Sequence, residues 1–310
     1  MKSGPSAAEL QGELLVLGLA RNCAAALPVQ VRKLAAALPS FRRVRWFVVE
    51  SDSDDGTVAT LDELTRSVPD FGFVSLGALR ERLPARTERI AHCRNAGLEH
   101  LRSDPACVDV RWVAVADLDG VNGLLTPEAV AGCWQRDDWT VVTANQIGPY
   151  YDVWALRHEL WSPGDCWAQA RFLKAMGQDE QRATMACVYS RMVTIPPESP
   201  WIEVESAFGG FALYRAEALR PAGVRYDGVA ADGGDVCEHV ALHRALRAVG
   251  GRIFIDPALI NADSRGFVEY WPERAQIERA TRNTLFRALL RLFYGRQASK
   301  DLRRLLRSLS

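Results

Sequence analysis

Two carboxylates stand two residues apart in Asp117-Leu118-Asp119, directly before Gly120. They close an apolar run, RWVAVADLD (111–119), that reads as a buried strand. Alternation turns both toward one side, and the carboxyl end of the strand sets them in the crevice where open α/β sheets bind ligands. Carboxylates this close repel unless a cation lies between them, and Mg2+ or Mn2+ held in that way can also grip a diphosphate. In isolation the same letters describe a solvated Asp-Gly turn. Three other segments give them company: Arg21-Asn22 after the first apolar run, ESDSDDGT (50–57) after the second, and Arg94-Asn95-Ala96-Gly97 on the helix that precedes the paired acids. All three are expected to converge on one crevice, where Glu50 or Asp55 can accept from a base or ribose hydroxyl and Arg21 or Arg94 can approach a phosphate.

The second half of the chain holds candidates for a second substrate. The aromatic block Tyr150, Tyr151, Trp154, Trp161, Trp167 suits either a floor for a sugar ring or a core between the halves, and Asp152 and Arg157 within it are polar groups able to fix hydroxyls. Glu205 precedes Gly209-Gly210, where the missing side chains let backbone approach a ligand. Asp235-Val236-Cys237-Glu238 reads as a helix N-cap with Glu at its third position, the capping-box arrangement. His239 and His243 follow, four residues apart; with no acidic ligand in the pattern they read as packing or surface rather than a zinc site.

Short apolar runs alternating with helical periods must position these groups. ELLVLGLA (13–20), VRWFVVE (44–50), GFVSLG (72–77) and RWVAVADLD (111–119) are expected strands, separated by helices near 30–38, 58–65 and 86–102. WTVVTAN (139–145), FGGFALYR (208–215) and RIFIDPALIN (252–261) continue as strands, with an amphipathic helix over 236–251. Segment 148–167, with its Pro and Gly, cannot be one long helix. The pattern predicts an α/β fold with a mainly parallel sheet flanked by helices.

At 310 residues, 48% hydrophobic and 25% charged, the chain is a globular protein, with disorder and fibres excluded. Thirty-eight basic residues balance thirty-eight acidic ones, but residues 271–310 carry +7 and the remainder −7. Within that tail Leu285, Leu289, Leu290 and Phe293 recur at helical spacing beside Arg282, Arg287 and Arg291, a pattern suited to a core-closing helix, an oligomer contact or an anionic membrane surface. Few aromatics accompany the charge, and nucleic acid is not an expected partner. Seven scattered cysteines without a CxxC pair are expected to be buried free thiols in a reducing compartment. LLVLGLA (14–20) follows Glu13 and a polar leader, so neither a signal peptide nor a spanning helix is expected, and the chain is expected to be cytoplasmic.

The ordered set LARN, VVESDSDDGT, RIAHCRNAGL, WVAVADLDG, FGGFALYRAEAL and CEHVALHRALRAVGGRIFIDP resembles nucleotide-sugar glycosyltransferases of the GT-A fold, most closely the large family 2 type. YYDVWALR (150–157) also resembles capsule-type transferases related to the cryptococcal capsule mannosyltransferases. The resemblance spans about residues 13–262 and implies a nucleotide-sugar half (13–125), an acceptor half of the same domain (126–262) and a basic helical tail (263–310). It implies that Asp117 and Asp119 hold Mn2+ or Mg2+ on the diphosphate of a UDP- or GDP-sugar, that Glu50 contacts the nucleoside, and that Arg94 lies near the donor. Family 2 enzymes usually carry an acidic pair at the start of the late helix, where one acid deprotonates the acceptor hydroxyl. Here Glu238 matches that acid, and His239 stands where the second would be. The implied activity is hexosyl transfer, inverting in preference to retaining, onto a saccharide or lipid-linked acceptor in polysaccharide or glycolipid assembly, on the inner membrane face. Asp152, Trp154, Arg157, Glu205, Gly209, Gly210 and His239 are the acceptor-side candidates. Two other readings compete: a sugar-1-phosphate nucleotidyltransferase, which usually needs a glycine-rich loop where LGLARNCAAALP has only Gly18, and a non-catalytic carbohydrate- or lipid-binding module.

Overall fold

The computed structural model describes residues 12–230 and 233–266; the readings made for the tail beyond residue 266 lie outside them. Eight strands, β1 (Glu13–Ala20), β2 (Arg43–Glu50), β3 (Phe71–Ser75), β4 (Val110–Asp117), β5 (Val141–Ile147), β6 (Ile202–Val204), β7 (Phe211–Arg215) and β8 (Ile253–Asp263), form one sheet in the order β3-β2-β1-β4-β7-β5-β8-β6. Only β6 and β7 run against the rest, which bears out the mainly parallel sheet expected from the sequence. The helices are α1 (Leu27–Ala37), α2 (Thr57–Ser67), α3 (Arg86–Ser103), α4 (Pro127–Gly132), α5 (Cys166–Ala175), α6 (Glu180–Cys187), α7 (Ala216–Leu219) and α8 (Glu238–Ala248). None of the described helices is long and apolar enough to cross a membrane.

Both faces of the sheet are covered. Along β1, Leu14 and Val16 enter a core with Leu27, Val31 and Leu34 of α1 and Leu61 of α2. Leu15 and Leu17 enter the opposite core with Leu98 and Leu101 of α3 and Leu242 and Leu246 of α8. Period-two alternation therefore buries residues on both faces rather than one, with about 1.5–3 kcal/mol of transfer free energy per large side chain before ordering entropy is counted. All seven cysteines are buried free thiols.

The chain goes from β1 to β2 to β3 on one side and then returns to place β4 on the other side of β1. At such a reversal the flanking connections separate and leave a crevice outside the carboxyl ends of the two strands. The turn after β4 is built to aim into it. β4 stops at Asp117 rather than running to residue 119, because Leu118 folds back over Gly18 of β1, where an added Cβ would lie 2.5 Å from Leu118 Cδ1. With Leu118 1% exposed, its two acidic neighbours are left at the crevice.

Behind that turn lies a buried amide cluster. Asn122 Nδ2 donates to the carbonyls of Asp117 (2.8 Å) and Gly210 (3.1 Å), and Asn261 Nδ2 donates to Asn122 Oδ1 (2.9 Å) and to the Gly209 carbonyl (2.8 Å). The Asp117 N–H donates to the Gly210 carbonyl at 2.9 Å, so the glycine pair and the acidic turn are one hydrogen-bonded unit. Gly210 has φ +86°, and a Cβ there would lie 2.8 Å from Val121 Cγ2 and 2.9 Å from the Tyr151 hydroxyl. Gly210→Ala is therefore expected to lower the unfolding free energy by about 1–3 kcal/mol in urea titrations. Gly223→Ala, where a Cβ meets open space, should leave it near the parent value.

Candidate active site

The crevice is a cleft of about 410 Å³ whose walls include Arg21 after β1, Asp52 after β2, Arg94 of α3, Asp117 and Asp119 after β4, and Glu238 of α8. At its centre is the Arg94 guanidinium, buried, with Nε 2.7 Å from Glu238 Oε1 and Nη2 3.3 Å from Asp117 Oδ1. Its flat face lies 5.0 Å from the centre of the Phe208 ring and 5.8 Å from that of Tyr226. Burial opposes its charge, but the Glu238 and Asp117 carboxylates hold it protonated, above even its usual range. Asn95, the other member of the RN pair, exchanges two 2.9 Å hydrogen bonds with the backbone of Tyr226 and so fixes the ring beside Arg94.

Burial pushes Asp117 up to about 7, with Asp119, Asp152 and Glu238 acting in the same direction and Arg94 against them. Asp152 is also raised by burial, although it accepts from the backbone N–H of Gly209 (2.9 Å) and Ala155 (3.4 Å). Five carboxylates (Asp52, Asp117, Asp119, Asp152 and Glu238) and four arginines (Arg21, Arg86, Arg89 and Arg94) line the cleft. Arg21 and Arg86 are exposed on its wall without a carboxylate partner among the described residues, whereas Arg89 is occupied by the Leu83 and Pro84 carbonyls at 2.7 and 2.6 Å. Arg86 and Arg89 escaped the sequence reading; they stand eight and five residues before Arg94 on α3, and all three line the cleft.

Glu50 lines a second hollow of about 390 Å³ with Asp52, Ser53, Ser75 and Gly77. It is 1% exposed, with Oε1 accepting from the Ser53 N–H at 3.0 Å and Oε2 from the Ser75 hydroxyl. Asp55 lines neither hollow. Its carboxylate accepts from the Thr57 N–H (2.8 Å) and the Ala24 N–H (3.2 Å), which ties the loop after β2 to the loop after β1. The Cys23 N–H likewise donates to Thr57 Oγ1 at 2.9 Å and the Asn22 N–H to Ser53 Oγ at 3.2 Å. Side chains of one loop thus take up the backbone donors that a phosphate-cradling loop after β1 would have to present.

Among the acceptor-side candidates, Asp152, Trp154 and His239 line the cleft together with Tyr151. The aromatic block divides: Tyr150 is fully buried against Trp161 with ring centres 5.5 Å apart, and Trp167 is 37% exposed on α5. Arg157 is turned inward to the Trp154 and Leu156 carbonyls and to Asp165 (2.9, 2.8 and 2.9 Å). Glu205 pairs with Arg247 at 3.5 Å, away from the cleft. Gly209 and Gly210 do not line it either; their bare α-carbons accommodate Gln146, Ala144, Val121 and Tyr151 of the protein itself. Asp165 and Asp179 cap α5 and α6, two helices that the sequence reading left unassigned.

The capping-box reading of Glu238 is corrected. Glu238 is the first helical residue of α8, Cys237 is the N-cap without a side-chain bond, and Asp235 is engaged by the Thr87 hydroxyl at 2.9 Å. Arg94 draws the Glu238 carboxylate off its own helix, since a buried guanidinium is a stronger partner than a backbone N–H. The two histidines of α8 differ in their surroundings. His243 is pushed down to about 3 by burial and sits between the Ser206 hydroxyl (2.9 Å) and the Tyr214 hydroxyl (3.0 Å). His239 is also neutral, through burial and the nearby charge of Arg94, and stacks on Phe208 at 3.9 Å.

No known family profile matches the chain, and no curated protein matches it. Among solved structures, the mannosyltransferase PcManGT from Pyrobaculum calidifontis in complex with GDP-Man and Mn2+ is similar at 16% identity and TM-score 0.47, over 87% of this chain and 61% of that one. TarS 1–349 of S. aureus is similar at 12% identity and TM-score 0.47, over 90% of this chain and 65% of that one. Glucosyl-3-phosphoglycerate synthase from Mycobacterium tuberculosis in complex with UDP is similar at 16% identity and TM-score 0.34, over 70% of this chain and 64% of that one. The chain spans less than two thirds of the length of each.

The raised Asp117 has a measurable sign. Its folded value of about 7 stands above the 3.8 of an aspartate in the unfolded chain, so stability present below about pH 4 is lost as the pH rises to about 7. Asp117→Asn removes that loss: in the ligand-free protein its stability relative to the parent should climb between pH 5 and pH 7 and level off above, in unfolding titrations at each pH.

Proposed function

We propose that the chain is a metal-dependent glycosyltransferase of the GT-A fold that moves a hexosyl group from a UDP- or GDP-sugar to a hydroxyl of a saccharide or lipid-linked acceptor. The observation that carries this reading is the cleft at the β1/β4 reversal, where Asp117 and Asp119 meet Arg94 and Glu238 in a space open to solvent. Asp117 and Asp119 fit Mg2+ or Mn2+ by donor chemistry, as two hard carboxylates on the wall of one cleft. No cluster of three acidic, histidine or cysteine ligands exists among the described residues, so the remaining ligands have to come from the diphosphate and water. When bound, the cation compensates charge on the leaving diphosphate. Arg21 and Arg86 are cations on the same wall able to face phosphate oxygens.

The hollow around Glu50 suits the nucleoside, with Glu50 held by Ser53 and Ser75 so that its carboxylate keeps one pose. On the other side, Tyr151 and Trp154 offer ring faces and Asp152 a carboxylate to the sugars. Glu238 is the proposed base. Arg94 holds its Oε1, and Oε2 has the Cys237 thiol at 3.8 Å and the cleft beyond. The acceptor O–H proton passes to this carboxylate as the new C–O bond forms at the anomeric carbon and the old bond to the diphosphate breaks, a direct displacement with inversion. The nucleotidyltransferase alternative is disfavoured by the consumed backbone donors after β1. The basic tail is proposed to hold the protein against an anionic membrane on its cytoplasmic side, in polysaccharide or glycolipid assembly.

Donor hydrolysis and transfer over a panel of nucleotide sugars with Mn2+ test the proposal. Asp119→Ala should lose most Mn2+-dependent nucleotide affinity and nearly all turnover while remaining folded; equal activity would remove the metal assignment. Glu238→Gln should keep donor binding at saturating Mn2+ and lose on the order of 10²–10⁴ in turnover. Normal turnover in that variant would exclude Glu238 as the base.

A further inference from the structure

One guanidinium contacts two carboxylates that belong to different parts of the proposed reaction, Asp117 at the end of β4 and Glu238 at the start of α8. The two contacts are unequal. Glu238 Oε1 lies 2.7 Å from Nε and its side chain is 9% exposed; Asp117 Oδ1 lies 3.3 Å from Nη2 and its side chain is 34% exposed. The longer, more solvated contact is the one more readily given up. The guanidinium carbon also lies over the Phe208 and Tyr226 rings, and Asn95 pins the backbone of Tyr226, so Arg94 keeps two ring contacts besides its ion pairs.

We propose that Arg94 is a positioning residue that serves as the countercharge of Asp117 until Asp117 takes up a divalent cation, and that it thereby couples cation binding on β4 to the charge of Glu238 on α8. The inference rests on the glycosyltransferase reading. With a cation on Asp117, the guanidinium loses one anionic partner and keeps Glu238, already at 2.7 Å, as its remaining countercharge. The same geometry fixes the signs. A retained positive charge beside Asp117 opposes a second cation, and Glu238 answers part of that charge although it is not itself a ligand. Neutralising Glu238 must therefore weaken cation binding, and neutralising Arg94 must strengthen it. A purely structural role for Arg94 gives the opposite result, since loosening the cleft can only weaken binding.

The test is a titration of the full chain with MnCl2, alone and with UDP or GDP, reading free Mn2+ from its electron paramagnetic resonance signal. Glu238→Gln is expected to weaken Mn2+ binding on the order of tenfold, Arg94→Met to tighten it by a similar factor, and Arg94→Lys to return it toward the parent. Unchanged affinity in Glu238→Gln, while Asp119→Ala abolishes binding, would overturn the coupling and leave the metal reading standing. Weaker binding in a folded Arg94→Met protein would also overturn it. If circular dichroism shows Arg94→Met unfolded, the shape-preserving Glu238→Gln comparison decides. A parent protein that binds no Mn2+ with either nucleotide would overturn the metal reading and the coupling together.

Discussion

A buried guanidinium is tolerated only where its charge is answered at close range, and the Arg94 guanidinium obtains its answer from residues 23 and 144 positions away along the chain. That requirement joins three pieces of the fold. Helix α3 has to lie so that Arg94 faces the β1/β4 reversal, β4 has to end at Asp117, and α8 has to begin at Glu238 with the carboxylate turned off its own first turn. Removing either acid leaves the guanidinium with one carboxylate, and removing the arginine leaves the two carboxylates without the cation between them. The cleft is therefore an electrostatic unit, held at one end by the amide cluster of Asn122 and Asn261 behind the acidic turn and at the other by the first turn of α8.

The first half of the sheet was legible in the sequence because its rules are local. Strand β1 has the bounds that its apolar run suggests, and α1 carries Pro28 in its first turn and stops before Pro39, as expected of a residue lacking an N–H. The paired acids at the end of β4 read alone as a solvated turn and could be singled out because three other polar segments were expected to converge on the same crevice. What the letters do not carry is partnership across the chain. Nothing local in CEHVALH distinguishes a capping glutamate from one drawn away by an arginine, and nothing in DDGT tells a ligand-facing Asp55 from one that ties two loops together. Gly209 and Gly210 mislead for the same reason, since a glycine needed for close approach looks alike whether a ligand or the protein's own Tyr151 and Val121 comes close. Helices α5 and α6 were missed because both are short and keep little apolar surface for a core; α5 leaves Trp167, Phe172 and Met176 toward solvent at its surface and its end.

The division of labour that follows is simple. Invariant geometry comes from the backbone and the buried amides, whereas the charge balance of the cleft is left incomplete in a way that a cation and a diphosphate complete together. Asp117, raised to about 7 by burial with its acidic neighbours acting in the same direction, marks where that incompleteness is greatest. Binding at such a point converts an unfavourable local field into ligand affinity, which is why stability and function are opposed there.

The most direct measurement is diffraction at the manganese absorption edge from crystals of the full chain soaked with Mn2+ and a nucleoside diphosphate. A single anomalous peak shared by Asp117 and Asp119, with the nucleoside in the hollow around Glu50 and Arg94 still on Glu238, is the expected result. A nucleotide bound elsewhere, or a metal peak remote from both aspartates, would contradict it.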